Sequence, residues 1–178
     1  MLKSAIISGF IVVLMWLSFL LDFIFPGEFA SFGILPRHLD GLWGIIFAPF
    51  IHGGLSHIVS NSGGIFVLTL VLFWMYREIA WKIWIQSALL DGLLVWLLAR
   101  SSYHIGMSGV IFALLGFLLS IGLFRRSLKT IIISVIIFFL YGGVIWGVLP
   151  SNPSISWEAH LFGFLAGIWL AYRNREAV

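Results

Sequence analysis

The chain has 178 residues, of which 61% are hydrophobic and only 10% are charged, and its mean hydropathy is +1.11. Soluble domains are typically about 45–50% apolar and about 25% charged, so this composition excludes a soluble globular protein and indicates a polytopic membrane protein. The formal net charge of +3 fits the placement of basic residues described below and calls for no nucleic-acid partner, and the absence of cysteine excludes disulfides and thiolate metal sites.

Long apolar runs predict six membrane-spanning helices, each near the roughly 20 residues that cross a bilayer. In chain order, the predicted spans are residues 5–25, 57–76, 83–99, 107–124, 130–149 and 157–172. The first run is too long for the apolar region of a signal peptide and lacks a small-residue cleavage site, so we expect a retained helix. No room remains for a soluble domain, and residues 1–178 are expected to form a single domain.

The connection between the first two spans is much longer than the others. Residues 26–56 contain Trp43, Phe47, Phe50 and several glycines. Loops of this length in compact domains are usually functional or disordered, and this one is too aromatic for disorder. We expect a folded loop that is partly embedded in the membrane.

The basic residues predict the orientation of the chain. With the N-terminus inside, eight Lys and Arg residues lie on the inner side and two on the outer side, which is the asymmetry expected of cytoplasmic loops. The inner residues are Lys3, Arg77, Lys82, Arg125, Arg126, Lys129, Arg173 and Arg175, and the outer ones are Arg37 and Arg100. We therefore expect a multi-pass protein of a prokaryotic plasma membrane with both termini cytoplasmic.

Two polar residues stand at the outer starts of apolar helices. Ser108 lies between glycines at the head of the fourth span, and His160 opens the sixth. A hydroxyl buried in hydrocarbon without a partner costs about 2–7 kcal/mol, so we expect the serine and the histidine to face each other. Paired in this way, they would form a nucleophile and its general base inside the membrane.

His57 and Asn61 lie at the outer start of the second span, in the same leaflet as this pair. Because they are four residues apart, they share one helix face. Two donors directed at one oxygen would stabilise the oxyanion of an acyl-transfer intermediate, at about 2.7–4 kcal/mol for a donor in a dry site. The backbone N–H of Ser108, near a helix N-terminus, is a third candidate donor.

Glycines flank both members of the expected pair. Gly106 and Gly109 would let the fourth helix approach a neighbour closely, while Gly163 and Gly167 form a small-residue face on the sixth helix. Close contact of these two helices is what a serine–histidine hydrogen bond of about 2.6–3.2 Å requires.

Three motifs in this order resemble those of the rhomboid intramembrane serine proteases. They are the sequence His-Gly-Gly-Leu-Ser-His-Ile-Val-Ser-Asn at 52–61, Gly-Met-Ser-Gly at 106–109, and Ala-His-Leu-Phe-Gly-Phe-Leu-Ala-Gly at 159–167. The resemblance covers the long first loop and the second, fourth and sixth spans. It implies an all-α membrane protein with the six-helix rhomboid bundle.

The resemblance also implies roles for individual residues. Ser108 and His160 would be the catalytic dyad, in a water-filled cavity open to the outside, and His57 and Asn61 would line the oxyanion hole. His52 would help to structure the first loop. The substrates implied are membrane proteins whose transmembrane segment carries helix-destabilising residues, cut towards the outer face after a small residue, without a cofactor.

Two of the departures from the family pattern concern the long loop and the candidate site. Trp43 is followed by Gly44, where the family often has an arginine that anchors the first loop. Phe112, four residues after Ser108, stands where a tyrosine usually packs on the catalytic histidine, so stacking is retained and the hydroxyl is lost. Neither change removes a group needed for acyl transfer.

Two other classes of function remain open. One is a catalytically inactive rhomboid-like module that binds membrane proteins, and the other is a small transporter in which His57, Asn61, Asp91 and His160 line a polar path. A zinc site built from His52, His57 and His160 is not expected, because the spacing lacks the His-Glu-x-x-His pattern.

Several polar residues have no role in this hypothesis. Asp91 lies in the middle of the third span and should face the bundle interior, although the sequence offers no partner for it. Asp22 and Glu158 lie near outer span ends and are expected to reach water. His38 and His104 are expected to be loop residues.

Overall fold

The computed structural model describes residues 1–25, 29–150 and 155–177. The described chain is helical, and its β pairing is limited to one antiparallel bridge between Ile34 and His104. The α-helices are α1 (Leu2–Ile24), α2 (Gly44–Phe47), α3 (Leu55–Met75), α4 (Ala80–Leu98), α5 (Ser108–Arg125), α6 (Leu128–Tyr141) and α7 (Trp157–Arg173). Short 3-10 helices cover Phe29–Phe32, Leu39–Leu42, Ala48–Phe50 and Gly142–Val148.

Five stretches are long and apolar enough to cross a membrane: α1, α3, α4, α5 and the continuous stretch Leu128–Val148. The last helix, α7, has 17 residues, at the lower end of the roughly 17–25 that span a bilayer. Apart from the end of the fifth span, the predicted limits differ from the observed helices by up to three residues; α4, for example, begins at Ala80 rather than at residue 83. Helical hydrogen bonding continues past the point where the apolar run ends.

The predicted fifth span is only partly α-helical. The α-helix ends at Tyr141, and the chain continues as a seven-residue 3-10 helix to Val148. This segment contains Gly142, Gly143 and Gly147, and glycine is among the poorest α-helix formers. Since 3-10 runs longer than three or four residues are uncommon, this segment is an unusual part of the fold.

Helix α5 occupies the centre of the bundle. Every residue from Gly109 to Leu118 is buried, and α5 contacts α3, α4, α6 and α7. The outer helices have the opposite character: Phe139 on α6 is 81% exposed. A helix that is apolar all round is stable at the centre of a membrane bundle, and exposed apolar side chains suit contact with lipid.

Small residues let α5 and α7 approach backbone to backbone. A Cβ on Gly163 would overlap the carbonyl oxygen of Gly109, and one on Gly167 would overlap that of Ala113. The same holds in the other direction, where Gly116 lies against the carbonyl of Phe164. This close contact sets the spacing of the two helices that begin with Ser108 and with the turn containing His160.

The long first loop is held against the bundle by Arg37. Its guanidinium donates to the carbonyl of Ala99 at 2.8 Å and to Ser101 Oγ at 2.9 Å, and so caps the C-terminal end of α4. Residues 26–28, at the start of the predicted loop, lie outside the described residues. Although Gly44 stands where the family often has an arginine, the loop is anchored by an arginine seven positions earlier.

Candidate active site

Ser108 begins α5 directly after a backbone turn that requires glycine. Gly106 has φ +108°, a conformation that L side chains rarely adopt, and its N–H donates to the carbonyl of Ala48 in the long loop at 2.8 Å. A Cβ at Gly106 would lie 2.6 Å from His57 Nε2 and 3.4 Å from Asn61 Nδ2. The turn that leads to Ser108 is therefore packed directly against the two candidate oxyanion donors.

His160 is oriented by two contacts. Its ring stacks on Phe112, one helical turn after Ser108, with centroids 4.2 Å apart and planes 5° from parallel. Its Nδ1 lies 2.9 Å from the carbonyl oxygen of Gly147, in the 3-10 segment after α6. Because a carbonyl can only accept, Nδ1 carries the proton, and Nε2 of the neutral ring is the acceptor.

Ser108 and His160 thus lie at the same end of the α5–α7 pair. No hydrogen bond within the described ranges joins their side chains. Catalytic hydrogen bonds are often long in the absence of substrate and tighten when it binds. What the structure supplies is an imidazole with a fixed plane and a fixed tautomer at the start of the serine's helix.

Asn61 is positioned by a chain of hydrogen bonds. Its Nδ2 donates to His52 Nε2 at 3.0 Å, so the proton of His52 is on Nδ1, which lies 3.3 Å from the carbonyl oxygen of Phe50. The ring of His52 also meets that of His57 edge to face, with centroids 4.9 Å apart. One of the two amide N–H groups of Asn61 donates to His52, and the other is left to donate to a ligand.

Burial keeps His52 neutral. The side chain is almost fully buried, and desolvation, with the nearby His57 ring adding to it, lowers the pKa of His52 to about 4, against the opposing effect of the Phe50 carbonyl. A neutral His52 has one accepting nitrogen, and this is the nitrogen that receives the Asn61 N–H.

His104, expected to be an ordinary loop residue, is buried and connects the starts of α5 and α7. Its Nε2 donates to the carbonyl of Arg100 at 3.0 Å, and its Nδ1 accepts from Ser156, the residue before α7. Burial lowers the pKa of His104 and so favours the neutral ring, in which Nε2 donates and Nδ1 accepts. Its backbone pairs with Ile34, so the long loop joins the same network.

The expectation that Glu158 reaches water is wrong. Glu158 is buried, and its Oε2 lies 3.4 Å from Arg100 Nη1, an ion pair without hydrogen-bond geometry. Arg100 also donates to the carbonyl of Ile155 at 2.8 Å. A carboxylate in the first turn of α7 is expensive to bury alone, and this pair holds the turn that carries His160.

Asp91 faces the bundle interior, as expected of a carboxyl in the middle of a span. It lies against Gly109, where any Cβ would overlap its carboxyl group, and its Oδ1 has no hydrogen-bond partner within the described ranges. Asp91 is thus next to the first turn of α5 and explains why glycine follows Ser108.

In the part of the chain that the structure describes, no three His, Cys, Asp or Glu side chains lie close enough together to hold a metal ion.

Comparison with known proteins agrees with the motifs. A family model described as Rhomboid domain matches residues 39–176. An uncharacterized protein of Mycobacterium tuberculosis is 36% identical over 172 residues, covering 90% of this chain and 71% of that protein. An uncharacterized protein of Mycobacterium leprae is 35% identical over 173 residues (90% and 67%), and RHOMBOID-like protein 4 of Arabidopsis thaliana is 29% identical over 144 residues (75% and 34%).

Proposed function

The chain belongs to the rhomboid family, a family of intramembrane proteases, and we propose that it is a serine endopeptidase that cleaves other membrane proteins within the bilayer. The observation that carries this proposal is the fixed imidazole. His160 is stacked on Phe112, which lies one helical turn from the start of α5. Its Nδ1 is bonded to the Gly147 carbonyl. This is the tautomer that a base needs in order to take a proton on Nε2.

In the proposed reaction, Ser108 Oγ attacks the carbonyl carbon of the substrate peptide while His160 Nε2 takes the hydroxyl proton. The tetrahedral intermediate collapses, the C–N bond breaks, and the amine leaves with the proton held by His160. Water then attacks the Ser108 ester, with His160 again acting as base, and releases the acid. Within the described ranges no carboxylate is hydrogen-bonded to His160, and the Gly147 carbonyl is the group that orients the imidazole.

The oxyanion of the intermediate would be stabilised by three donors: the free amide N–H of Asn61, a ring N–H of His57 and the backbone N–H of Ser108. The support for this assignment is proximity, since the turn at Gly106 lies against both side chains and leads directly to Ser108. The bond from Asn61 to His52 fixes the direction of the amide before substrate binds.

The substrate must present an exposed carbonyl to Ser108. Helical backbone bonds shield the carbonyls of a transmembrane segment, so the segment has to unwind where it is cut. We therefore propose substrates with helix-destabilising residues and a small residue before the cut. If both termini are cytoplasmic, as the basic residues predict, the cut falls towards the outer face.

Cleavage of single-span test substrates in liposomes tests the proposal. Two substrates carry the same small, helix-breaking site, one in the outer and one in the inner half of the span, and mass spectrometry of the fragments locates the cut. The outer site should be cut and the inner site cut poorly, because reaching Ser108 would draw charged flanking residues into hydrocarbon at about 2.5–3.5 kcal/mol each. Equal cleavage of both sites would contradict the orientation, and absence of cleavage would favour an inactive binding module.

A further inference from the structure

A second cavity lies at the opposite end of the bundle from Ser108. It has a volume of about 340 Å³ and is formed where α3 and α5 end and α6 begins. Helix α5 runs from Ser108 to Arg125, so at 1.5 Å per residue the two sites are about 25 Å apart. The cavity has no part in the proposed reaction, and its use must be sought in its own lining.

The charged side chains of the lining are mostly positive. Arg77, Arg125 and Lys129 line the cavity together with one acid, Glu78, which gives three positive charges against one negative. All four side chains are exposed, and none of them forms an ion pair or a hydrogen bond within the described ranges. One acid does not balance three bases, so the lining keeps an excess of positive charge, and a bound anion would relieve the repulsion among the basic groups.

Tyr76 is an independent observation that points to a ligand. It lines the same cavity and is only 5% exposed, its ring packs edge-on against Phe117 at 5.6 Å, and its buried hydroxyl has no hydrogen-bond partner in the described part of the chain. Leaving a buried hydroxyl unpaired is unfavourable, because the group has given up its hydrogen bonds to water. Burial raises the pKa of Tyr76 to about 12, against the opposing charge of Arg125, so the group is a hydrogen-bond donor at neutral pH.

The N-terminus of α6 adds to the positive character of the lining. Ser127 caps the helix by accepting the N–H of Thr130, and Ser127, Lys129 and Thr130 all line the cavity. The first N–H groups of a helix and its dipole favour anions. The C-terminal ends of α3 and α5 have the opposite polarity, and there the basic residues Arg77 and Arg125 follow or end the helix.

We propose that this cavity binds an anionic phosphate group, held by Arg77, Arg125 and Lys129 and accepting a hydrogen bond from the Tyr76 hydroxyl. Arginine and lysine are the side chains that bind phosphate oxygens, and arginine can do so through two parallel bonds. The ends of membrane-spanning helices lie at the level of the lipid head groups, where basic pockets recognise anionic lipids. The phosphate belongs to such a head group or to a soluble phosphate, and the following experiment distinguishes the two.

Native mass spectrometry of the full chain in detergent, with added phosphatidylglycerol or phosphatidylcholine, measures the binding. Wild-type protein should retain phosphatidylglycerol and lose phosphatidylcholine, whose phosphate is balanced by choline. The Arg125→Gln/Lys129→Gln double variant should bind phosphatidylglycerol at least about tenfold more weakly, and Tyr76→Phe several-fold more weakly. Arg126→Gln is the control for the loss of one charge, to be compared with Lys129→Gln, because Arg126 is an exposed neighbour that does not line the cavity.

Competition with inorganic phosphate identifies the source. If millimolar phosphate displaces the lipid from the wild type and does not bind the double variant, the cavity binds soluble phosphate. If the lipid stays bound in the presence of phosphate, the cavity binds the lipid head group. Equal losses in Arg126→Gln and the cavity variants would overturn the proposal, as would equal retention of the two lipids by the wild type. Tyr76→Phe and Lys129→Gln, which each remove one group, keep the test valid if the double variant does not fold.

Discussion

The two ends of α5 use polar residues in opposite ways. At the Ser108 end, two polar side chains are tied to specific partners: His160 to the Gly147 carbonyl and Asn61 to His52. At the Arg125 end, Arg77, Arg125 and Lys129 line a cavity and form no hydrogen bond or ion pair with another described residue. The first arrangement fixes the directions of individual bonds before substrate arrives, whereas the second supplies charge. Small changes of shape should therefore damage the first end far more than the second.

The largest effect is expected from Ser108→Ala. Loss of the nucleophile should lower kcat by about 10⁴-fold or more, while the fold is kept because only one hydroxyl is removed. His160→Ala should be equally severe, and the double variant little worse than either single one, since the two residues act as a unit. Cleavage of a test substrate by purified protein measures all three. Ser120→Ala, on the same helix, is the matched control and should cleave normally; near-normal turnover of Ser108→Ala would refute the assignment.

A smaller loss is expected when Asn61 is replaced. If Asn61 donates to the oxyanion, Asn61→Ala should lower kcat by about 10- to 1,000-fold with little change in KM, because the interaction exists only in the transition state. Ser60→Ala, at the exposed neighbouring position, should leave both constants unchanged. Separate measurement of kcat and KM decides the role: a large rise in KM with an unchanged kcat would make Asn61 a substrate-binding residue.

Shape alone should matter at Gly106. Gly106→Ala forces a side chain into a backbone conformation with φ +108° and against His57 Nε2, so we expect a loss of at least about 1 kcal/mol in unfolding free energy and a lower kcat/KM. Gly63→Ala on α3 meets nothing within 4 Å and serves as the control. Thermal unfolding in detergent and cleavage assays should separate the two variants, and identical behaviour would show that the turn at Gly106 is not tightly constrained.

The effect that is expected only under acidic conditions is a pH dependence of stability from His52. The pKa of this ring is about 4 in the folded chain and 6.5 in a model peptide, so the unfolded chain binds the proton first as the pH falls. The contribution of the neutral ring is fully present above pH 6.5 and decreases by roughly 3 kcal/mol as the pH falls to 4. Unfolding midpoints of wild type and His52→Gln across this range should differ in slope, while the exposed His38→Gln follows the wild type. Parallel curves for His52→Gln and wild type would contradict the assigned burial effect.

Much of this molecule could be predicted from its sequence. Apolar runs locate the membrane helices, because burial in lipid imposes a length and a composition on each span. The sequence also predicts Ser108, His160, His57 and Asn61 as site residues, because polar groups in apolar helices are expensive, and their roles stay predictions.

The contacts that hold the site in place could not be predicted. The acceptor for His160 is a backbone carbonyl thirteen residues away, and every residue has a carbonyl, so Gly147 carries no sequence signal. His104 bonds Ser156, 52 positions later in the sequence. Likewise Arg37 donates to a backbone carbonyl at the end of α4, and no sequence motif marks that carbonyl as its partner. The local sequence shows that a polar group is costly to bury, whereas the tertiary fold determines which group is its hydrogen-bond partner.

The most direct test of the central claim is covalent labelling with a fluorophosphonate, followed by peptide mapping. A serine activated by His160 should react, so the adduct is expected on Ser108 in the wild type and in Ser120→Ala, and on no serine in His160→Ala. An adduct on a different serine, or labelling of Ser108 that survives the loss of His160, would contradict the proposed dyad.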